Sequence, residues 1–529
     1  MQADVVFFIY FCTRKWSYRT RIISLKDMFK IFTGNHLVEA YHRNKKQKRG
    51  ENILGKVIKL LISIAVGITL WALPTEVFGI EGLTLIEQRV IAVFCFATLM
   101  WITEAIPSWT TSVAIIVILL FTCSDSALTW FVSAPPEELG TIISHKAIMA
   151  CFANPIIMLF IGGFILAIAA TKSGLDVKLA RVLLKPFGTK SENVLLGFLL
   201  VTGLFSMFLS NTATAAMMLT FLTPVLKSLP ANGKGKIALA LAIPIGANIG
   251  GIGTPIGTPP NSIALSYLAD PNGLNMQIGF GQWMAMMCPY VIVLLFIAWF
   301  LLKTLFPFTQ KQIELNIEGD TKSDWRSVVV YITFAVTVLL WMLDKYTGVN
   351  SNVVAMLPVG VFCTCGIITR RDLEEINWSV LWMVAGGFAL GLALQDSHLA
   401  QHLIAAIPFG SWSPLLMILG SGLLCYAMAN FISHTATANL LFPILALAGL
   451  STAATLEAYG GVSTLLIGVA LGSSLAMVLP ISTPPNALAH ATGLIDQKQM
   501  MRVGIIMGVI GLVLGYTLLF FIGKYGLIS

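Results

Sequence analysis

The chain is predicted to be an all-α polytopic membrane protein, and three observations carry that prediction. Of its 529 residues, 57% are hydrophobic and only 11% charged, where soluble chains carry about 25% charged residues. Apolar windows approach the roughly 20 residues that cross a bilayer core at about eleven places. Two polar stretches, Ser210-Asn211-Thr212-Ala213-Thr214 and Ser433-His434-Thr435-Ala436-Thr437, interrupt this background. Each is followed by a proline-broken segment, Gly257-Thr258-Pro259-Pro260-Asn261 or Ser482-Thr483-Pro484-Pro485-Asn486.

Residues 5–12 are apolar but too short to span, and no small-residue cleavage site follows them, so they do not read as a signal peptide; Met28 offers an alternative start. Residues 1–55 are expected to form a cytoplasmic basic segment. Arg43, Lys45, Lys46, Lys48 and Arg49 directly precede the first span, and excess Lys and Arg stay on the cytoplasmic side. The same rule accounts for the net charge of +8 without a nucleic-acid partner. Nearly all of the eight cysteines fall in apolar runs, which excludes a disulfide framework.

Spans near 57–77, 87–105, 109–124 and 152–172 place Lys172, Lys178, Arg181, Lys185 and Lys190 inside. Residues 193–226 are basic at both flanks and so read as an inner re-entrant hairpin, with Ser210-Asn211-Thr212 near its tip. Residues 236–265 cross outward as a broken helix, because proline removes a donor and clashes with the preceding turn. A span near 283–306 completes a first repeat over 56–307, and a polar cytoplasmic linker follows at 308–325. The second repeat, 326–529, has spans near 326–344, 352–369 and 378–396. An outer hairpin at 412–447, whose flanks carry no Lys or Arg, leads to a broken helix at 464–488 and a last helix at 503–523. The N-terminus is then cytoplasmic and the C-terminus outside, with Lys524 the one residue against the pattern.

Gly162-Gly163-Phe164 recurs as Gly386-Gly387-Phe388, and the tips and Thr-Pro-Pro-Asn motifs recur with the same offset of about 224 residues. One hairpin enters from each side, so the halves are expected to be inverted-topology repeats. Secondary transporters have this architecture and bind near the midplane at paired discontinuous helices.

The residue types at these motifs point to an anion and a small cation. A hairpin tip aims backbone N–H groups and a positive dipole end at its surroundings, which suits carboxylate or sulfate oxygens. Ser210, Thr212, Ser433 and Thr435 add hydroxyls. The unwound segments leave carbonyls without intrahelical partners, and with the Asn211 amide oxygen these make a hard-oxygen site for Na⁺. No Lys or Arg lies in either tip or break, so bound cations would neutralise a doubly charged anion; an anion channel would be expected to carry rings of Lys or Arg. A membrane-embedded enzyme is disfavoured, because the chain has no His-Glu-x-x-His, no Gly-x-Ser-x-Gly and no clustered intramembrane carboxylates. Glu104, which ends a span before Pro107, reads as interfacial, as do Asp396 and His490.

Through Thr103-Glu104-Ala105-Ile106-Pro107, Ser210-Asn211-Thr212, Thr258-Pro259-Pro260-Asn261 and the second pair of motifs, the chain resembles the divalent anion:sodium symporter family of dicarboxylate, tricarboxylate and sulfate transporters. The resemblance covers about residues 55–525. It implies a homodimer in the lipid bilayer with a scaffold domain and a mobile transport domain, moving as an elevator, with Na⁺ co-transported rather than kept as a cofactor. The substrate set is then Ser210, Asn211, Thr212, Thr258, Pro259, Ser433, His434, Thr435, Thr483 and Pro484. A first Na⁺ site would draw on Ser210, Asn211, Gly253, Thr254 and Gly257, and a second on Thr435, Ser482 and Thr483. In the family both tips read Ser-Asn-Thr; here His434 stands in the second. An imidazole donates well to a carboxylate but is a poor Na⁺ ligand, and once protonated it could supply the missing positive charge. The expected function is a non-enzymatic secondary active carrier of di- or tricarboxylates, C4-dicarboxylates favoured on family frequency, working by Na⁺ symport across the plasma membrane. A sodium-independent dicarboxylate exchanger or a proton-coupled carrier using His434 is the alternative; a sulfate transporter or an enzyme is more distant.

Overall fold

The computed structural model describes residues 53–227, 229–230, 233–270, 273–313, 324–406 and 412–526. The basic segment expected over 1–55 and the linker expected over 308–325 lie mostly outside the described residues.

The described chain is helical, with no strand among its elements. The first half runs α1 (Ile53–Ala72), α2 (Leu85–Thr103), α3 (Ser108–Thr122), α4 (Pro155–Ser173), α5 (Leu175–Leu184), α6 (Ser191–Phe208), α7 (Asn211–Lys227), α8 (Gly235–Gly251), α9 (Pro259–Leu268) and α10 (Phe280–Leu305). The second runs α11 (Trp325–Met342), α12 (Met356–Thr364), α13 (Trp378–Asp396), α14 (Leu399–Ala406), α15 (Pro414–Ala429), α16 (His434–Ser451), α17 (Gly461–Ser474), α18 (Pro484–Ala491) and α19 (Gln497–Lys524). Among the described helices of eight or more residues, the order α2 to α10 recurs as α11 to α19, and α1 has no counterpart.

Local chemistry explains the boundaries. A Thr84/Glu87 capping box starts α2, which ends at Glu104 in the left-handed region (φ 46°) before Pro107 opens α3. Glu104 therefore occupies a turn between two helices. Asn154 caps α4 by accepting from the Ile156 N–H, Pro155 takes the first helical position, and Gly174 in the left-handed region turns the chain into α5.

Nine helices among the described residues are individually long and apolar enough to cross a membrane. Of the eleven spans read from the sequence, α3, α12 and the helices of both broken spans are each too short alone, whereas the hairpin arms α6 and α16, which are not among those eleven, pass singly. The breaks fall at 209–210, 252–258, 430–433 and 475–483, inside the four intervals read from the sequence.

The two halves interlock at their centre. The paired arms pack on the broken helices, α6 and α7 on α8, and α15 and α16 on α17. In addition, α9 packs on α16 and α17 of the other half, and α18 packs on α7 and α8. Two glycines permit close crossings elsewhere. A Cβ on Gly162 would stand 2.1 Å from the Ala355 carbonyl oxygen, and one on Gly386 would stand 2.3 Å from the Ser112 Cβ. Burial follows this plan: the apolar window of α16 is 72% buried and that of α1 only 6%. Leu54, Ile58, Ile62 and Ile68 of α1 are exposed, as lipid, itself as apolar as leucine, allows.

Candidate functional site: two capped tips above two broken helices

Each tip is a helix start capped by serine. After Leu209 in extended backbone (φ −110°, ψ 159°) α7 begins, and Ser210 Oγ accepts the Ala213 N–H at 3.2 Å. At the second tip Ser433 Oγ accepts the Ala436 N–H at 3.2 Å. A helix start has four N–H groups without intrahelical acceptors, counted from the cap residue, and each serine takes the fourth. The N–H groups of Asn211, Thr212, His434 and Thr435 remain at the positive end of their helices, where an anion oxygen is favoured. The first tip rests on α4, with Leu209, Ser210 and Ile256 facing Phe160, Gly163 and Phe164 across a small gap.

The carbonyls released by the breaks lack intrahelical partners, as expected, but side-chain amides take them up. Asn261 Nδ2 donates toward the carbonyls of Gly251 (3.2 Å), Ile252 (3.2 Å) and Thr254 (2.8 Å). In the second half Asn486 Nδ2 donates to Met477 (2.8 Å) and Leu479 (3.0 Å). Both asparagines end the repeated Thr-Pro-Pro-Asn motif. Their recurrence was the available signal for this clamp, which reading the threonines and prolines alone missed.

In the first half the Asn211 side chain lies on glycine backbone. A Cβ on Gly251 would stand 2.7 Å from Asn211 Oδ1, and one on Gly257 would stand 2.4 Å from the Gly251 carbonyl oxygen. Ser206 Oγ is 2.6 Å from Asn211 Oδ1 and 2.8 Å from the Ala247 carbonyl, and its single proton goes to one of them. An amide oxygen and the Gly251 carbonyl thus share a small space; each has a protein donor beside it, Ser206 and Asn261 respectively, and a second lone pair that a hard cation could use. Of the residues expected at a first cation site, Asn211 and Gly257 meet there. Ser210 acts as the cap, Gly253 O faces the Cys288 thiol at 3.7 Å, and Thr254 Oγ1 donates to Met207 O while accepting the Gly257 N–H.

The second half has the same frame with different groups. Aligned on the motif, Gly251, Gly253, Thr254 and Gly257 correspond to Ala476, Val478, Leu479 and Ser482. His434 Nε2 lies 2.7 Å from the Ala476 carbonyl; a carbonyl only accepts, so Nε2 carries a proton. Ser482 Oγ donates to the Asn430 carbonyl at 2.9 Å and accepts from the Leu479 N–H at 3.0 Å. Thr483 Oγ1 accepts from the Asn486 N–H (3.3 Å) and from Asn248 Nδ2 (3.2 Å). The Ser482 and Thr483 oxygens expected at a second cation site are therefore engaged by protein groups, and Thr435 is buried.

Exposure sorts the substrate candidates. Ser210, Asn211, Pro259, Ser433 and His434 are half-buried, Thr212 and Pro484 are exposed, and Thr258, Thr435 and Thr483 are buried. The serines and the residues after them at both tips are accessible, as are Pro259 and Pro484, whereas Thr435 and the threonines of both breaks are buried. His490 Nδ1 is 2.9 Å from the Ile495 carbonyl, a local tie away from both tips.

The citrate transporter family matches residues 98–459. The sodium-dependent dicarboxylate transporter SdcS of Staphylococcus saprophyticus is 30% identical over 523 residues, covering 91% of this chain and 94% of that protein. Its namesake in Staphylococcus aureus strain USA300 is 31% identical over 482 residues, covering 84% and 87%. Among solved structures, the YdaH transporter of Alcanivorax borkumensis matches with a TM-score of 0.51 at 12% identity, over 79% of this chain and 98% of that one; at such identity the likeness is one of fold. The repeated tips, the repeated breaks and these relatives agree, and the chain belongs to the divalent anion:sodium symporter family.

Proposed function

We propose that this protein imports C4-dicarboxylates by Na⁺ symport. It is a multi-pass membrane carrier rather than an enzyme, and its relatives are named for sodium-dependent dicarboxylate transport. The observation that carries the reading is the asymmetric pair of Ser-capped tips. Both offer N–H groups to carboxylate oxygens, and only the first sets an amide oxygen over glycine backbone as a cation seat. Inverted repeats with the N-terminus inside, a homodimer, and movement of tips and breaks together as an elevator complete the proposal. In liposomes of purified protein, an inward Na⁺ gradient should drive succinate uptake, and replacement of Na⁺ by K⁺ should abolish it. Equal uptake in both salts would sink symport.

One observation favours a second reading. The His434 N–H already occupies the Ala476 carbonyl, a position where a second cation would otherwise sit. An exchanger that needs fewer or no Na⁺ ions would fit that arrangement. Uptake that requires internal dicarboxylate and ignores Na⁺ would select it.

A further inference from the structure

We propose that Asn248 is the positioning residue that couples cation occupancy at the first break to anion binding at the second. This rests on the reading of the breaks as parts of a Na⁺ and dicarboxylate site. Asn248 lies in the last turn of α8, three residues before Gly251, and is 1% exposed. Its Nδ2 donates across the molecule to Thr483 Oγ1 at 3.2 Å and to Asn486 Oδ1 at 3.0 Å. Thr483 is the N-cap of α18. One amide from the first half thus fixes the first turn of α18, and Asn486 passes that constraint to the Met477 and Leu479 carbonyls.

The mirror-related tie is absent. Gly246 of α8 sits against the Leu199 carbonyl as Gly472 of α17 sits against that of Gly422; by this crossing the counterpart of Asn248 is Ser474, the stretch from there to the repeated Thr being one residue shorter in the second half, and its neighbour Ser473 donates to the His434 carbonyl at 2.9 Å. Ser474 Oγ and Asn261 Oδ1 are both buried without a partner: a serine on α17 makes no bond where an asparagine on α8 does. The second break is therefore held by the first half through Asn248, while the first break has no matching hold from Ser474. A cation drawing the Gly251 carbonyl and Asn211 together would order the last turn of α8, and with it the amide that holds Thr483 at the start of α18. Sites linked through a shared hydrogen-bonded element bias each other's affinity reciprocally.

The test is the ratio of succinate dissociation constants measured without and with Na⁺ on the purified full chain. A wild-type ratio of one would overturn the proposed symport itself. Given a wild-type ratio above one, Asn248→Ser, which copies the side chain of Ser474, should lower the ratio by about tenfold. A folded variant that keeps the wild-type ratio overturns the coupling role, since a bond serving only stability would lower the melting temperature and leave the ratio alone. Should the variant fail to fold, hydrogen exchange on the wild type decides. Na⁺ alone should slow exchange over 477–491 as well as over 250–258, and protection confined to 250–258 overturns the proposal.

Discussion

The two tips share a frame and differ in what they offer a cation. In the first, Asn211 sets an amide oxygen against Gly251 and Gly257, whose missing side chains let backbone and amide come together. In the second, Ala476, Val478, Leu479 and Ser482 replace the small or hydroxyl-bearing residues, and the His434 N–H meets a carbonyl directly. The caps and amide clamps are retained in both. On the proposed reading, anion recognition at the helix starts would tolerate divergence of the halves, because it uses backbone, while a cation would need particular side-chain oxygens and room beside them.

The largest expected effect comes from removing the oxygen that distinguishes the first tip. Asn211→Ala should lower Na⁺-driven uptake by about 100-fold, read as initial rates in liposomes; retention of more than a tenth of the rate would mean that the tips are more alike than proposed. The clamps come next. Asn261→Ala and Asn486→Ala should each cost about 1–3 kcal/mol in thermal unfolding, since buried carbonyls lose their donor. The second should cost more, because it also removes one of the two acceptors of the Asn248 amide, leaving Thr483 Oγ1 alone.

A smaller change should follow His434→Asn, which restores the family tip. The Na⁺ dependence of uptake should steepen as the Ala476 carbonyl becomes available, and an unchanged Hill slope would rule out His434 as the group standing in for a cation. The smallest effect concerns a tie between the halves outside the membrane. Burial alone would raise the Asp372 carboxyl, but bonds from the Lys172 ammonium (2.7 Å) and from the hydroxyl and N–H of Thr369 hold it below its ordinary value. Its contribution is complete above the ordinary aspartate value of about 3.9 and fades as pH falls through the lowered folded value. Being partly exposed, the pair should be worth about 1 kcal/mol or less. Acid melts of wild type and Asp372→Asn should differ above that range and converge below it.

Much of the site was legible because its signals are local. Proline and glycine mark breaks wherever they occur, a serine before an apolar helix marks a cap, and a repeat offset of about 224 residues needs no structure to be seen. What the side chains touch was not legible. Asn261 reaches back 10 residues to the Gly251 carbonyl, and Asn248 reaches 238 residues to Asn486; nothing in the local pattern selects those acceptors. Thr254 and Ser482 were expected at the cation sites from the family resemblance; their hydroxyls donate to the protein's own backbone at Met207 and Asn430.

The sequence alone thus determined the class of solvent, the duplication, and the positions of tips and breaks, because hydrophobic length, proline chemistry and charge bias act on neighbouring residues. Only the tertiary structure decided that Asn211 seats on glycine while His434 meets the Ala476 carbonyl, and that Asn248 ties one break to the other. Those outcomes depend on the crossing of helices distant in the chain, where a few ångströms decide which oxygen accepts from which donor.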